Sequence, residues 1–179
     1  MHIEQHKLKE AQFIASPNHS ERPDGAEIDL LVIHNISLPP GEFGTGRIAE
    51  LFCNELDCSA HPYFSDLEDL RVSAHLLIER DGHLIQFVPF DRKAWHAGES
   101  EYRGRKNCNE FSIGIELEGT DEERFTDHQY ECLAAVTQAL LRRYPGLTVD
   151  RIVGHSDIAP QRKTDPGPCF DWQRFQSDL

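Results

Sequence analysis

Ile28-Asp29-Leu30-Leu31-Val32-Ile33-His34-Asn35 decides how this chain folds. An almost unbroken aliphatic run, preceded by Pro23 and Gly25 and followed by Pro39-Pro40-Gly41, reads as a strand buried on both faces. Such a strand needs neighbours on each edge and cover above and below. The fold class it predicts is therefore α+β with an α/β-like core, a mixed central β-sheet flanked by helices. His34 stands where this strand passes into a loop, a frequent place for a ligand-binding side chain. A lone histidine there is more often simply hydrogen-bonded, so its role depends on what the rest of the chain brings beside it.

A second stretch supplies the partners. Ile152-Val153 leads into Gly154-His155-Ser156-Asp157-Ile158-Ala159-Pro160-Gln161-Arg162-Lys163-Thr164-Asp165-Pro166-Gly167-Pro168. Three prolines and two glycines argue against a helix and hold the backbone stiff. Asp165 precedes Pro166, which favours an extended backbone, and i, i+2 alternation then projects Lys163 and Asp165 to one side. A surface loop with solvated charges is the plain alternative; the stiffening favours a site.

Between the two lie the other elements. Residues 1–27 read as an irregular N-terminal segment with a short helix near Leu8–Ile14, and 45–56 as a helix. Arg71–Arg80 and His83–Pro89 read as a hairpin across Asp81-Gly82. Phe111–Glu118 alternates, with Phe111, Ile113, Ile115 and Leu117 on one face and Ser112, Gly114, Glu116 and Glu118 on the other. Gly114 leaves room beside Glu116 for another group to approach. Thr126 opens a long amphipathic helix to about Tyr144, 149–153 returns to the sheet, and 170–175 forms a last short helix. With 179 residues and no repeats, the chain is expected to be one domain, 1–179.

Composition narrows the partners. The net charge of −13 argues against nucleic acid, anionic membrane and polyanionic wall surfaces. The polar start Met1-His2-Ile3-Glu4-Gln5-His6-Lys7 does not resemble a secretory signal, and no run is long enough to span a membrane. Cys53, Cys58, Cys108, Cys132 and Cys169 are odd in number and lack a CxxC pair, which suits reduced thiols in a cytoplasmic protein.

His34, His155 and Asp165 together make a three-ligand shell suited to zinc, leaving a fourth position for water. Val32-Ile33-His34-Asn35, Val72-Ser73-Ala74-His75-Leu76-Leu77-Ile78, Ala94-Trp95-His96-Ala97-Gly98, Ser112-Ile113-Gly114-Ile115-Glu116 and 154–168 resemble, in order, the motifs of the type-2 N-acetylmuramoyl-L-alanine amidases. Within that family the chain is most similar to the cytoplasmic enzymes of cell-wall recycling. The resemblance implies one zinc ion on His34, His155 and Asp165, a catalytic carboxylate at Glu116 and an essential lysine at Lys163. It places Asn35, Tyr63, Arg71 and Trp95 near the substrate. It implies hydrolysis of the amide between the lactoyl group of (1,6-anhydro-)N-acetylmuramic acid and L-alanine in small soluble muropeptides. A monomer is expected, and the charge and composition argue against nucleic-acid and membrane partners. The chain departs from many relatives in having Ala74 where they have tyrosine and Asp165 where they have cysteine, and Asn107 stands where the recycling enzymes are expected to be basic. A peptidoglycan-binding module without activity and a different zinc hydrolase, such as a sugar deacetylase, are the alternatives. His75 and His96 are expected beside the ligands or in packing, and Cys169 as a thiol outside the metal set.

Overall fold

The computed structural model describes all residues, 1–179. The strands are β1 (Ile3–Glu4), β2 (Lys7–Leu8), β3 (Gln12–Phe13), β4 (His19–Glu21), β5 (Leu30–Ile36), β6 (Leu76–Ile78), β7 (Leu84–Gln86), β8 (Arg92–Ala94), β9 (Glu101–Tyr102), β10 (Arg105–Lys106), β11 (Ser112–Glu118) and β12 (Ile152–Gly154). The helices are α1 (Arg47–Phe52), α2 (Asp127–Arg143), α3 (His155–Ile158) and α4 (Trp172–Ser177). Six strands form the central sheet in the order β12-β5-β11-β6-β7-β3. The first four run parallel, β6 and β7 are the antiparallel hairpin, and β3 joins β7 in parallel. The sheet is mixed and carries helices on its faces, as expected from the sequence.

The pleat of β5 divides the core. Leu31 and Ile33 face α2, packing with Ile113, Ile115, Leu133 and Leu140, while Leu30 and Val32 face the other way onto Ala97, Phe111 and Ile158. Each such fully buried side chain contributes about 1.5–3 kcal/mol. With both faces covered, polarity along β5 is excluded until its end, where His34 lies on the Leu30/Val32 face. On β11, Glu116 sits beside His34 in register, and Ile33 of β5 pairs with Gly154 of β12. The C-terminal ends of three adjacent parallel strands thus deliver Glu116, His34 and His155 to one edge, where open α/β sheets bind ligands.

Several elements differ from the sequence reading. The segment 1–27 has no helix near Leu8–Ile14; it forms β1 to β4, and β3 extends the main sheet. Side-chain anchors explain this: the Leu8 amide donates to Gln86 Oε1, and the buried Arg22 guanidinium donates to the carbonyls of Phe90, Asn109, Glu110 and Ser112. No local periodicity encodes such contacts. The helix expected over 45–56 is only Arg47–Phe52, and the hairpin strands are three residues each. Phe111 closes a 3-10 turn rather than opening β11, and so packs with Leu30 and Val32 on the face opposite Ile113. The stretch after Gly154 does begin with a helical turn, α3, because its prolines lie beyond it. Helix α2 begins as anticipated, with Thr126 and Gln129 forming a reciprocal capping box.

Candidate active site

His34, His155 and Asp165 converge. Nδ1 of His34, Nδ1 of His155 and Oδ2 of Asp165 lie 3.0 Å from one another in all three pairs. A tetrahedral ion with bonds of about 2.0–2.1 Å needs donor atoms about 3.3 Å apart, so a shift of a few tenths of an ångström accommodates zinc. The remaining nitrogens are also fixed. His155 Nε2 is 3.1 Å from the carbonyl oxygen of Ala97, which can only accept, so the proton sits on Nε2 and the Nδ1 lone pair faces Asp165. His34 Nε2 meets His96 Nδ1 at 2.9 Å, and His96 Nε2 meets Ser112 Oγ at 3.1 Å. If His34 donates to His96 and His96 to Ser112, both ligand lone pairs point into the site. Burial lowers the pKa of His34 to about 4, so the ring is neutral and able to ligate. Burial alone would raise Asp165, but the hydrogen bonds from His155 and His34 reverse this and hold it well below the usual carboxylate range. The donor set fits zinc.

Glu116 has the opposite electrostatics. Burial, then the nearby Asp165 charge, push its carboxyl well above the ordinary value, and Lys163 only partly offsets them. Its Oε2 is enclosed with no hydrogen-bond partner. An orphaned carboxylate oxygen costs stability, so its presence at a cleft marks a group held ready for something that binds there.

The space left beside Gly114 is filled by His96, whose ring atoms lie 2.4–2.7 Å from where a Cβ would stand. Asn109 holds that segment in place, its Oδ1 accepting from the amides of His96 and Ala97. Arg162 donates to the carbonyls of Ala97 and Glu99, tying the Trp95–Ser100 segment to the loop that carries Asp165. Sequence reasoning missed Asn109 and Arg162, since nothing in their spacing signals contacts across the fold.

A cleft of about 490 Å³ opens over this edge of the sheet. Glu116, His155, Lys163 and Asp165 line its floor and one wall, and Asn35, Tyr63, Arg71 and Trp95 also line it. His34 lies beneath, buried. All of the residues singled out in the sequence are therefore gathered in one place. Tyr63 is largely exposed, Arg71 donates to the carbonyls of Glu68 and Leu70, and the Trp95 indole donates to Ser20 Oγ. His75 is not part of the donor set: its Nδ1 accepts from the Gly114 amide and its Nε2 donates to the Arg92 carbonyl. Cys169 is likewise outside that set.

Residues 24–168, which hold the donor set, Glu116 and Lys163, match a known family model, N-acetylmuramoyl-L-alanine amidase. The chain belongs to the N-acetylmuramoyl-L-alanine amidase family. It is 59% identical over 170 residues to 1,6-anhydro-N-acetylmuramyl-L-alanine amidase AmpD of Citrobacter freundii, covering 95% of this chain and 90% of that protein. The crystal structure of a selenomethionine AmpD derivative superposes with a TM-score of 0.97 at 56% identity, covering 100% of this chain and 99% of that one. The amidase AmiD from Escherichia coli, solved with anhydro-N-acetylmuramic acid-L-Ala-D-γ-Glu-L-Lys, gives 0.64 at 28% identity over 90% of this chain and 65% of that one. The protein is thus an amidase enzyme, built on the fold of this family.

Proposed function

We propose that this amidase is zinc-dependent and hydrolyses the lactoyl–L-alanine amide of small soluble 1,6-anhydro-muropeptides in cell-wall recycling. The observation that carries this is the triangle of His34, His155 and Asp165 donors, set beside a partnerless buried Glu116 carboxylate. The names and bound substrate of the relatives supply the substrate class. A zinc ion on His34, His155 and Asp165 supplies Lewis-acid activation of water and of the amide carbonyl.

The chain's own groups do the rest. Glu116 Oε2 accepts a proton from the attacking water and returns it to the nitrogen of the departing L-alanine, a role suited to a carboxyl whose proton affinity is raised by burial and by the Asp165 charge. Lys163 faces the same cleft and donates to the oxygen on which negative charge develops, an effect worth about 3 kcal/mol at comparable sites. Trp95 offers an apolar ring wall for the sugar and lactoyl group, Arg71 a cation for peptide carboxylates, and Tyr63 a further face at the rim. Residues 1–179 act as one catalytic domain, a reading supported by β3 completing the main sheet. No helix is long and apolar enough to cross a membrane. Five unpaired thiols and a charge of −13 favour a reducing cytoplasm and a soluble fragment over an anionic wall. The monomer expected from the sequence is retained as part of the proposal.

Metal analysis tests the reading. The purified protein should hold one zinc per chain, and His155→Ala should lose it, whereas His75→Ala should keep it. Stoichiometric zinc in His155→Ala would overturn the ligand assignment. Release of L-alanyl peptide, with no acetate, separates this amidase from a sugar deacetylase.

A further inference from the structure

Asn35 follows directly on His34, next to last in β5, and lines the cleft. Its Nδ2 donates to Asp121 Oδ1 at 2.7 Å and to the carbonyl oxygen of Pro166 at 3.1 Å. Both partners accept, so the amide orientation is decided: the reversed flip would set oxygen against two oxygens. Oδ1 makes no hydrogen bond within the protein. The Asp121 backbone packs closely on Gly167, where an added Cβ would lie 2.5 Å from the Asp121 Cα.

We propose that Asp121 is a specificity-determining positioning residue: it locks the Asn35 carboxamide so that Oδ1 is presented to the cleft as an acceptor for an amide N–H of the substrate. The proposal rests on the amidase reading above. Muramyl peptides carry such N–H groups on the acetamido substituent and along the stem peptide. A carboxamide free to rotate would offer its NH2 half the time; one locked by a carboxylate and a carbonyl rejects ligands that present an acceptor there. Asp121 touches no reacting atom and acts through Asn35.

Steady-state kinetics on anhydro-muramyl-L-alanyl tripeptide test this through a double-mutant cycle. Asp121→Ala and Asn35→Ala should each raise KM about tenfold, the size of one lost hydrogen bond, with kcat within about threefold. The double variant should be no worse than Asn35→Ala, because Asp121 has nothing left to orient. Additive penalties, a loss confined to kcat, or a weaker zinc affinity in Asp121→Ala would show a merely structural brace on the Asp165 loop and overturn the proposal. Asp121→Asn keeps an acceptor and should stay close to the parent. Should Asp121→Ala fail to fold, Asn35→Asp carries the test: it places a carboxylate against Asp121, should raise KM similarly, and should be rescued by adding Asp121→Asn, which can donate. Absence of rescue refutes the lock. Repeating the cycle on anhydro-muramyl-L-alanine assigns the N–H: coupling retained there places it on the sugar or first amide, coupling lost places it on the stem peptide, and coupling on neither substrate overturns the proposal. An inactive parent enzyme would instead count against the amidase reading.

Discussion

Glu116 shows how one side chain trades stability for chemistry. Its folded pKa is raised, so its contribution to stability is present below the ordinary glutamate value of 4.5 and lost as pH rises through the folded value. At neutral pH the metal-free protein therefore carries the cost of enclosing this carboxyl, whichever of its forms is present. Glu116→Gln removes that cost while keeping the shape. The expected outcome is a higher Tm for the metal-free variant at pH 7, together with a fall in kcat of at least about 100-fold and unchanged zinc content. A variant that unfolds earlier than the parent, or turns over at a comparable rate, would contradict both halves of the argument.

At the scale of elements, β11 and α2 make contrasting demands. Gly114 on β11 has the His96 ring where a side chain would be. Gly114→Ala must displace that ring, which holds His34 Nε2, so the change reaches the proposed metal site from a residue outside its donor set. Overpacking of this kind costs about 1–3 kcal/mol. Chemical denaturation should register that loss, and chelator competition should show weakened zinc binding; full zinc affinity in Gly114→Ala would mean that His96 does not orient His34. Thr126 caps α2 through the Gln129 amide at 3.1 Å, away from the cleft. Thr126→Ala should cost about 1 kcal/mol by denaturation while leaving kcat/KM within twofold. A catalytic loss there would reveal a coupling between helix and site that the contacts do not predict.

For the whole molecule, acid is the revealing variable. His34 and His75 are buried and neutral, with burial lowering their pKa values to about 4 and about 3 from an ordinary 6.5. For a histidine with a depressed folded value, stability is fully present above the unfolded pKa and is lost as pH falls through the folded one. Asp165, lowered by its hydrogen bonds after burial is offset, pulls in the same direction at still lower pH. The urea midpoint of the metal-free protein should thus fall steadily from about pH 6.5 towards pH 4. His75→Gln should flatten that slope, at the expense of stability at neutral pH, since His75 joins Gly114 of β11 to the Arg92 carbonyl of β8. Glu116, with its raised folded value, opposes this trend, so a midpoint that rises on acidification would mean that its protonation outweighs that of the two rings.

What the sequence by itself determined was local and periodic. The aliphatic run to His34, the alternation of 111–118 and the helix start at Thr126 each depend on residues within one element, so they could be read without knowing the fold, although Phe111 itself proved to lie outside the strand. The ordered motifs also indicated the family and nominated His34, Glu116, His155, Lys163 and Asp165. Only tertiary structure decided the rest. That 1–27 forms strands follows from Gln86 and Arg22 reaching across the chain, and that the Asp165 loop begins as a helical turn follows from its position at the end of β12. The 3.0 Å triangle, the His96 ring on Gly114 and the Asn35–Asp121 hydrogen bond join residues that lie in different elements. Such contacts leave no period in the sequence, because they arise from the register of parallel strands, which is set by packing on both faces of the sheet at once.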